Sequence, residues 1–235
     1  MVMPVSPSPS ASSHVAAVRA ALEPLRDSER ATAMAAYMKD RFLFLGIPAP
    51  ARRAAIKPLA KPAPATVPAI ARALWKRKER EYHYVAVDLL AITVKKLDAA
   101  ATLALIEELA LVHSWWDTVD GLSGISATIL RDNAALRATV WRWSAHDVFW
   151  INRLAILHQL GWGEHTDADV LFKLCLTHAH NPEFFIRKAI GWALRDYAWS
   201  RPDEVRAFVA AQRSTLSALS MREALKNIGS RPTTP

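Results

Sequence analysis

Apolar residues recur three and four positions apart along most of the chain, the period of an amphipathic helix, and no stretch alternates with the two-residue period of a strand. The pattern predicts helices over residues 14–25 and 28–42, the second carrying Met34, Tyr37 and Met38 on one side, before a break at Gly46-Ile47-Pro48-Ala49-Pro50. Pro50 suits the first turn of a short helix that bears Arg52, Arg53 and Lys57, whose plain reading is a solvated face. Four prolines between residues 57 and 68 mark a connector into helices over 67–76 and 81–95. From residue 98 the pattern becomes regular, with helices over 98–112, 115–131, 133–144, 147–161, 167–179, 182–199, 202–213 and 219–228 joined by short links. Start signals accompany several of them: Ser114 with Asp117, Asn181 before Pro182, Pro202 before Asp203, and Ser220 with Glu223 as a capping box.

The later helices repeat. Ile151-Asn152-Arg153-Leu154-Ala155, Ile186-Arg187-Lys188-Ala189-Ile190 and Met221-Arg222-Glu223-Ala224-Leu225 superpose at a spacing of 35 residues, the length of a helix pair. In stacked helical arrays each pair buries a face on its neighbours and the second helices line a concave surface. The shared register carries Arg153, Arg187, Lys188 and Arg222, so that surface is expected to form a positively charged groove suited to a duplex.

Composition sharpens the expectation of an all-α fold, since glycine is scarce at 7 residues while alanine and leucine abound. The formal net charge of +8 favours a polyanionic partner. No apolar run reaches transmembrane length, so a membrane partner is not expected. The Pro/Ser-rich residues 1–13 read as a disordered tail, 14–228 as one domain and 229–235 as a second tail. The lone Cys175 lies in an apolar run, which points to a core position and a reducing, cytoplasmic setting.

No glycine-rich phosphate loop, Cys/His metal spacing or Gly-x-Ser-x-Gly elbow is present, so no metal or cofactor is expected. The chemistry concentrates in Ser114-Trp115-Trp116-Asp117-Thr118-Val119-Asp120, where Trp116 and Asp120 share one helical face and together suit a cationic ligand. Two carboxylates three residues apart on one helix cannot flank a sugar from opposite sides, which excludes a paired-acid glycosidase of the usual geometry. Asp117 reads as a first-turn residue at the positive end of the helix. Asp120 has two readings, a salt bridge to a neighbouring helix or a functional carboxylate. Trp75, Trp141, Trp143, Trp162 and Trp199 read as packing residues, whereas Trp192 shares a stripe with Lys188 and Arg195. Trp150 and Arg153 repeat that aromatic-and-arginine arrangement one repeat earlier.

Several blocks together resemble the AlkD family of bacterial DNA alkylation-repair glycosylases. They are Tyr37-Met38-Lys39, Phe42-Leu43-Phe44-Leu45-Gly46-Ile47, Pro50-Ala51-Arg52-Arg53, the Ser114–Asp120 stretch, Arg153-Leu154-Ala155-Ile156-Leu157, and the run from Phe184 to Tyr197. The resemblance implies a monomer of HEAT-like repeats around duplex DNA that excises N3- and N7-alkylated purines, such as 3-methyladenine and 7-methylguanine, without flipping the base. It also implies Asp120 as the catalytic carboxylate, Trp116 and Trp192 as aromatic walls beside the lesion, and Arg153 as a neighbouring backbone contact. Tyr37, Arg53 and Lys57 match the family's DNA-facing N-terminal positions, and Met221 stands where a lysine is expected. A non-catalytic relative that binds damaged or branched DNA is the first alternative. A helical scaffold for an acidic peptide is the second.

Overall fold

The computed structural model describes residues 10–226 and 228. The chain forms two compact units, one ending at Leu105 and the other beginning at Ile106. The expected tails lie outside the described residues, except for residues 10–13. There the helix starts three residues earlier than its apolar pattern: Ser10 accepts the N–H of Ser13 at 3.3 Å and caps a helix running from Ala11.

The first unit holds α1 (Ala11–Leu22), α2 (Ser28–Tyr37), α3 (Ala49–Ile56), α4 (Val67–Trp75), α5 (Arg80–Thr93) and the start of α6 (Ala99–Ala110). Asp27 caps α2, and prolines occupy the first turns of α3 and α4. α2 stops at Tyr37, five residues before its apolar pattern does, because Lys39 and Asp40 take φ of +60° and +55° and the helix cannot continue through them. The loop that follows is tied down by a carboxylate 34 to 36 residues further on. Glu81 is fully buried and accepts the N–H groups of Leu45, Gly46 and Ile47 at 2.8, 2.9 and 3.1 Å. Gly46 has φ +85°, and a Cβ there would lie 2.0 Å from the Asp27 carbonyl oxygen, so only glycine fits. Beside it, the buried Arg80 guanidinium sits 3.8 Å over the Phe42 ring.

The second unit holds the rest of α6, then α7 (Trp116–Asp132), α8 (Ala138–Ser144), α9 (Phe149–Leu157), α10 (Ala168–Thr177), α11 (Phe184–Tyr197), α12 (Pro202–Ala211) and α13 (Ala218–Leu225). The repeat spacing read from the sequence reappears in its hydrogen bonds. Trp162 Nε1 donates to the Ala127 carbonyl at 3.0 Å and the Gly161 N–H to the Asp196 carboxylate at 2.8 Å, each across 35 residues. Trp143 Nε1 donates to Glu107 at 2.8 Å across 36. At the same spacing Trp115, Trp150 and Phe185 meet as one aromatic cluster, with ring centroids 5.0 to 5.8 Å apart.

The all-helical expectation holds: among the described residues, extended pairing is confined to one bridge between Leu43 and Glu79. No described helix is long and apolar enough to cross a membrane. Cys175 is fully buried beside Leu171 and Leu174, and burial pushes its thiol far above the ordinary range, which leaves it inert. Trp75, Trp143 and Trp162 are core residues as expected, but Trp141 and Trp199 are exposed on the surface. Trp141 is covered there by the Lys173 ammonium, 4.9 Å from its ring.

Candidate active site

The second unit gathers the chemistry-bearing residues. α7 begins at Trp116 with Trp115 extended at its N-cap. Ser114, expected to start this helix, instead donates its hydroxyl to the Ala110 carbonyl at 2.5 Å and closes the preceding one. Asp117 falls in the first turn as expected, where the positive end of the helix favours a carboxylate. Trp116 and Asp120 stand at i and i+4 on the helix, both only partly buried.

Asp120 meets Arg153 of α9 head on. Arg153 Nε donates to Oδ1 at 2.7 Å and Nη2 to Oδ2 at 3.0 Å, a bidentate pair that fixes the carboxylate plane. The third guanidinium nitrogen, Nη1, donates to the Phe185 carbonyl at the start of α11 at 2.5 Å. Arg153 is thus bound to two neighbouring helices. Its Cζ also lies 5.9 Å from the centre of the Trp192 ring, within cation–π range. The side chain of Arg153 is 5% exposed and that of Asp120 is 19%. The salt bridge that was one reading of Asp120 is therefore present, and the solvent-reaching member of the pair is the carboxylate.

Burial pushes the Asp120 carboxyl above its ordinary range, and the nearby Asp117 adds to the rise, while the hydrogen bonds and charge of Arg153 oppose it. Both oxygens accept from Arg153, yet a carboxylate offers about four lone-pair sites, so each keeps one for another donor or a developing positive charge. Tied in this way the group is a better electrostatic stabiliser than a nucleophile.

The other cationic candidates separate into distinct settings. Lys188 and Arg195 lie one turn either side of Trp192 on α11, as the spacing implies, but both are paired: Glu223 of α13 receives Lys188 Nζ at 3.0 Å and Arg195 Nη1 at 2.8 Å. Glu223 is consequently no member of a capping box. Ser217 caps α13 by accepting the Ser220 N–H at 3.0 Å, and Ser220 Oγ donates to the Arg187 carbonyl at 2.9 Å. Arg187 itself donates from Nε to the Asn181 carbonyl at 3.1 Å. Arg222 points elsewhere, lining a cleft of about 400 Å³ with Arg206, Arg213 and Met221. Trp150, read as the partner of Arg153 in a repeated stripe, is buried in the aromatic cluster.

In the first unit Tyr37 is 71% exposed at the end of α2, and Arg53 and Lys57 are exposed on and just after α3. Arg52 departs from the solvated face expected of it: it is buried, 3.1 Å from Asp88 and over the Tyr84 ring at 4.8 Å. Among the described residues no group of three His, Cys, Asp or Glu side chains could hold a metal ion.

Sequence reasoning missed the partnership of Glu223 with Lys188 and Arg195, although its signal was present. In the 35-residue register the positions of Arg153 and Lys188 continue to Glu223, a reversal of charge in the last repeat.

A family model described as DNA alkylation repair enzyme matches residues 18–228 of the chain. A solved protein from Enterococcus faecalis, described as a predicted DNA alkylation repair enzyme, is similar over 88% of this chain and 98% of its own, with 32% sequence identity and a TM-score of 0.81. Among curated proteins none matches this chain.

Proposed function

The chain belongs to the DNA alkylation repair enzyme family, and from that premise we propose that it is a DNA glycosylase that hydrolyses the N-glycosidic bond of N3- and N7-alkylated purines in duplex DNA. The observation that carries this reading is Asp120: a carboxylate braced on both oxygens by Arg153, partly exposed, one helical turn from Trp116.

An alkylated purine already carries positive charge, so its bond to the sugar is weak and the base departs without a strong acid to protonate it. As that bond stretches, positive charge grows on the deoxyribose. A carboxylate near C1′ stabilises this state and orients the attacking water. Arg153 is the positioning residue for Asp120, its hydrogen bonds and charge opposing the rise in pKa that burial imposes. Trp116 and Trp192 supply aromatic faces for the sugar and the cationic base, at roughly 0.5 to 2 kcal/mol per desolvated contact. A neutral purine gains neither effect, which is the proposed basis of selection.

In keeping with the family resemblance, the base is proposed to stay stacked in the duplex rather than flip, with Asp120 reaching it from the side of a helix. Tyr37, Arg53, Lys57, Arg187, Lys188, Arg195 and Arg222 are the proposed backbone contacts. A phosphate contact from Arg153 uses the guanidinium donors left by Asp120 and Phe185.

The Asp120–Arg153 pair would also serve a relative that binds DNA without cutting it. Incubation with methylated duplex DNA separates the two: release of free 7-methylguanine is expected, and Asp120→Asn should slow it by about 10²- to 10³-fold while retaining DNA affinity. Equal release by that variant would remove Asp120 from the chemistry. No release by the native protein would leave the binding role alone.

A further inference from the structure

We propose that Glu223 is a specificity-determining residue of the DNA-binding surface, holding Lys188 and Arg195 in the place of a backbone phosphate, so that duplex DNA engages them only by displacing it. The inference rests on the DNA-binding reading above, and concerns a residue that reading does not use.

The geometry is that of an anion site already filled from within. Glu223 Oε1 lies 3.0 Å from Lys188 Nζ and Oε2 lies 2.8 Å from Arg195 Nη1, each oxygen serving a different cation. These two cations flank Trp192 on α11, so the carboxylate spans the stripe that the reading assigns to the lesion and its flanking phosphates. Its stem is fixed. A Cβ on Gly191 would lie 2.5 Å from Glu223 Cβ and 2.8 Å from the Ser220 carbonyl oxygen, so α11 and α13 approach as closely as a glycine permits. Ser220 Oγ bonds across the same contact to the Arg187 carbonyl. Glu223 is therefore not one of the long surface acids that pair and part at little cost.

The consequences are electrostatic. The hydrogen bond from Lys188 holds Glu223 below the ordinary carboxylate range despite burial, so it remains ionised through neutral pH and an incoming anion has to displace it. With Glu223 present the trio carries one net positive charge instead of two. Lys188 keeps 37% of its side-chain exposure and Arg195 24%, so both can be reached from solvent once released. Undamaged duplex thereby loses part of its counterion-driven grip, while a cationic lesion still gains its contacts at Asp120 and the tryptophans.

The test is Glu223→Gln with undamaged duplex, measured over a range of salt concentrations. Tighter binding at low salt is expected, with the slope of log affinity against log salt steeper by about 0.9, the value for one further phosphate neutralised. In a Lys188→Met/Arg195→Met background the same substitution should leave the slope unchanged. An unaltered slope in the native background, whether or not the melting temperature drops, overturns the proposal, because a merely structural Glu223 moves stability alone. Should Glu223→Gln not fold, Lys188→Met/Glu223→Met removes an internally neutral pair and should keep the native slope; a slope shallower by about 0.9 overturns the proposal. A native protein that shows no salt-dependent duplex binding ends the DNA reading itself, and this inference with it. Native binding with intact excision, but no slope change in the variant, ends only this inference.

Discussion

In the first unit Glu81 takes three backbone N–H donors and keeps no exposure; in the second Asp120 takes two donors from one guanidinium and keeps 19% of its side-chain surface. Both are acids withdrawn from water in a basic chain. Backbone amides from one loop turn Glu81 into a structural fastener, since every donor it satisfies would otherwise be buried and unpaired. A single guanidinium on a neighbouring helix leaves Asp120 with lone pairs free for another donor and a proton affinity raised by burial and opposed by that cation. The difference teaches that burial does not distinguish a carboxylate with acceptor capacity to spare from a fastener. The identity of its donors does, along with the direction its remaining lone pairs face.

The largest effects should fall on opposite observables. Glu81→Ala strands the amides of Leu45, Gly46 and Ile47 and should cost about 3 to 5 kcal/mol, seen as a lower melting temperature with excision per folded molecule retained. Asp120→Asn should reverse the pattern, cutting excision by about 10²- to 10³-fold while the melting temperature moves less, because Asn Oδ1 still accepts from Arg153 and Arg153 keeps the Phe185 carbonyl. Equal melting losses in the two variants, with excision intact in both, would erase the distinction.

Arg153→Met sharpens it. On the proposed mechanism excision needs ionised Asp120, so activity is expected to fall as pH drops through its pKa. That pKa already lies above the ordinary aspartate value, so the acid limb should start higher than for a solvated aspartate. Arg153 opposes the rise, hence its removal should carry the limb to still higher pH, read from a profile of single-turnover rates. The smallest effect is expected of Asp117→Asn. Asp117 raises the Asp120 pKa by charge alone, so its neutralisation should move the limb slightly towards acid; a shift in the other direction would contradict the assignment.

The helices were legible because the apolar period records which face each one buries, and that is a local property. α8 starts five residues later than expected, after a short turn at Ala134–Leu136, and α9 ends four residues early at Leu157; α2 ends five residues early, where Lys39 and Asp40 leave the helix within a loop whose next turn is held by Glu81, some 35 residues away. The partners of charged side chains were much less legible. The partners of Arg153 within the protein, Asp120 and the Phe185 carbonyl, were not read at all, Glu223 read as a helix cap, and Arg52 as a solvated cation. A sequence records that a helix bears a charge, while the partner is set by how adjacent helices rotate against each other. The pairing of Trp116 with Asp120 could be read from spacing alone, because both lie on one helix. Trp192 reached the site only through the resemblance to a known family and now through its approach to Arg153.

The cluster of Trp115, Trp150 and Phe185 gives the second unit a built-in optical signature. Two indoles crossed edge to face at 5.8 Å couple their strong transitions, and their fixed handedness should produce a circular-dichroism couplet in the far ultraviolet. Each ring comes from a different repeat. The intensity of the indole couplet therefore reports whether the two successive repeats carrying Trp115 and Trp150 are in register, with no label attached and independently of any substrate.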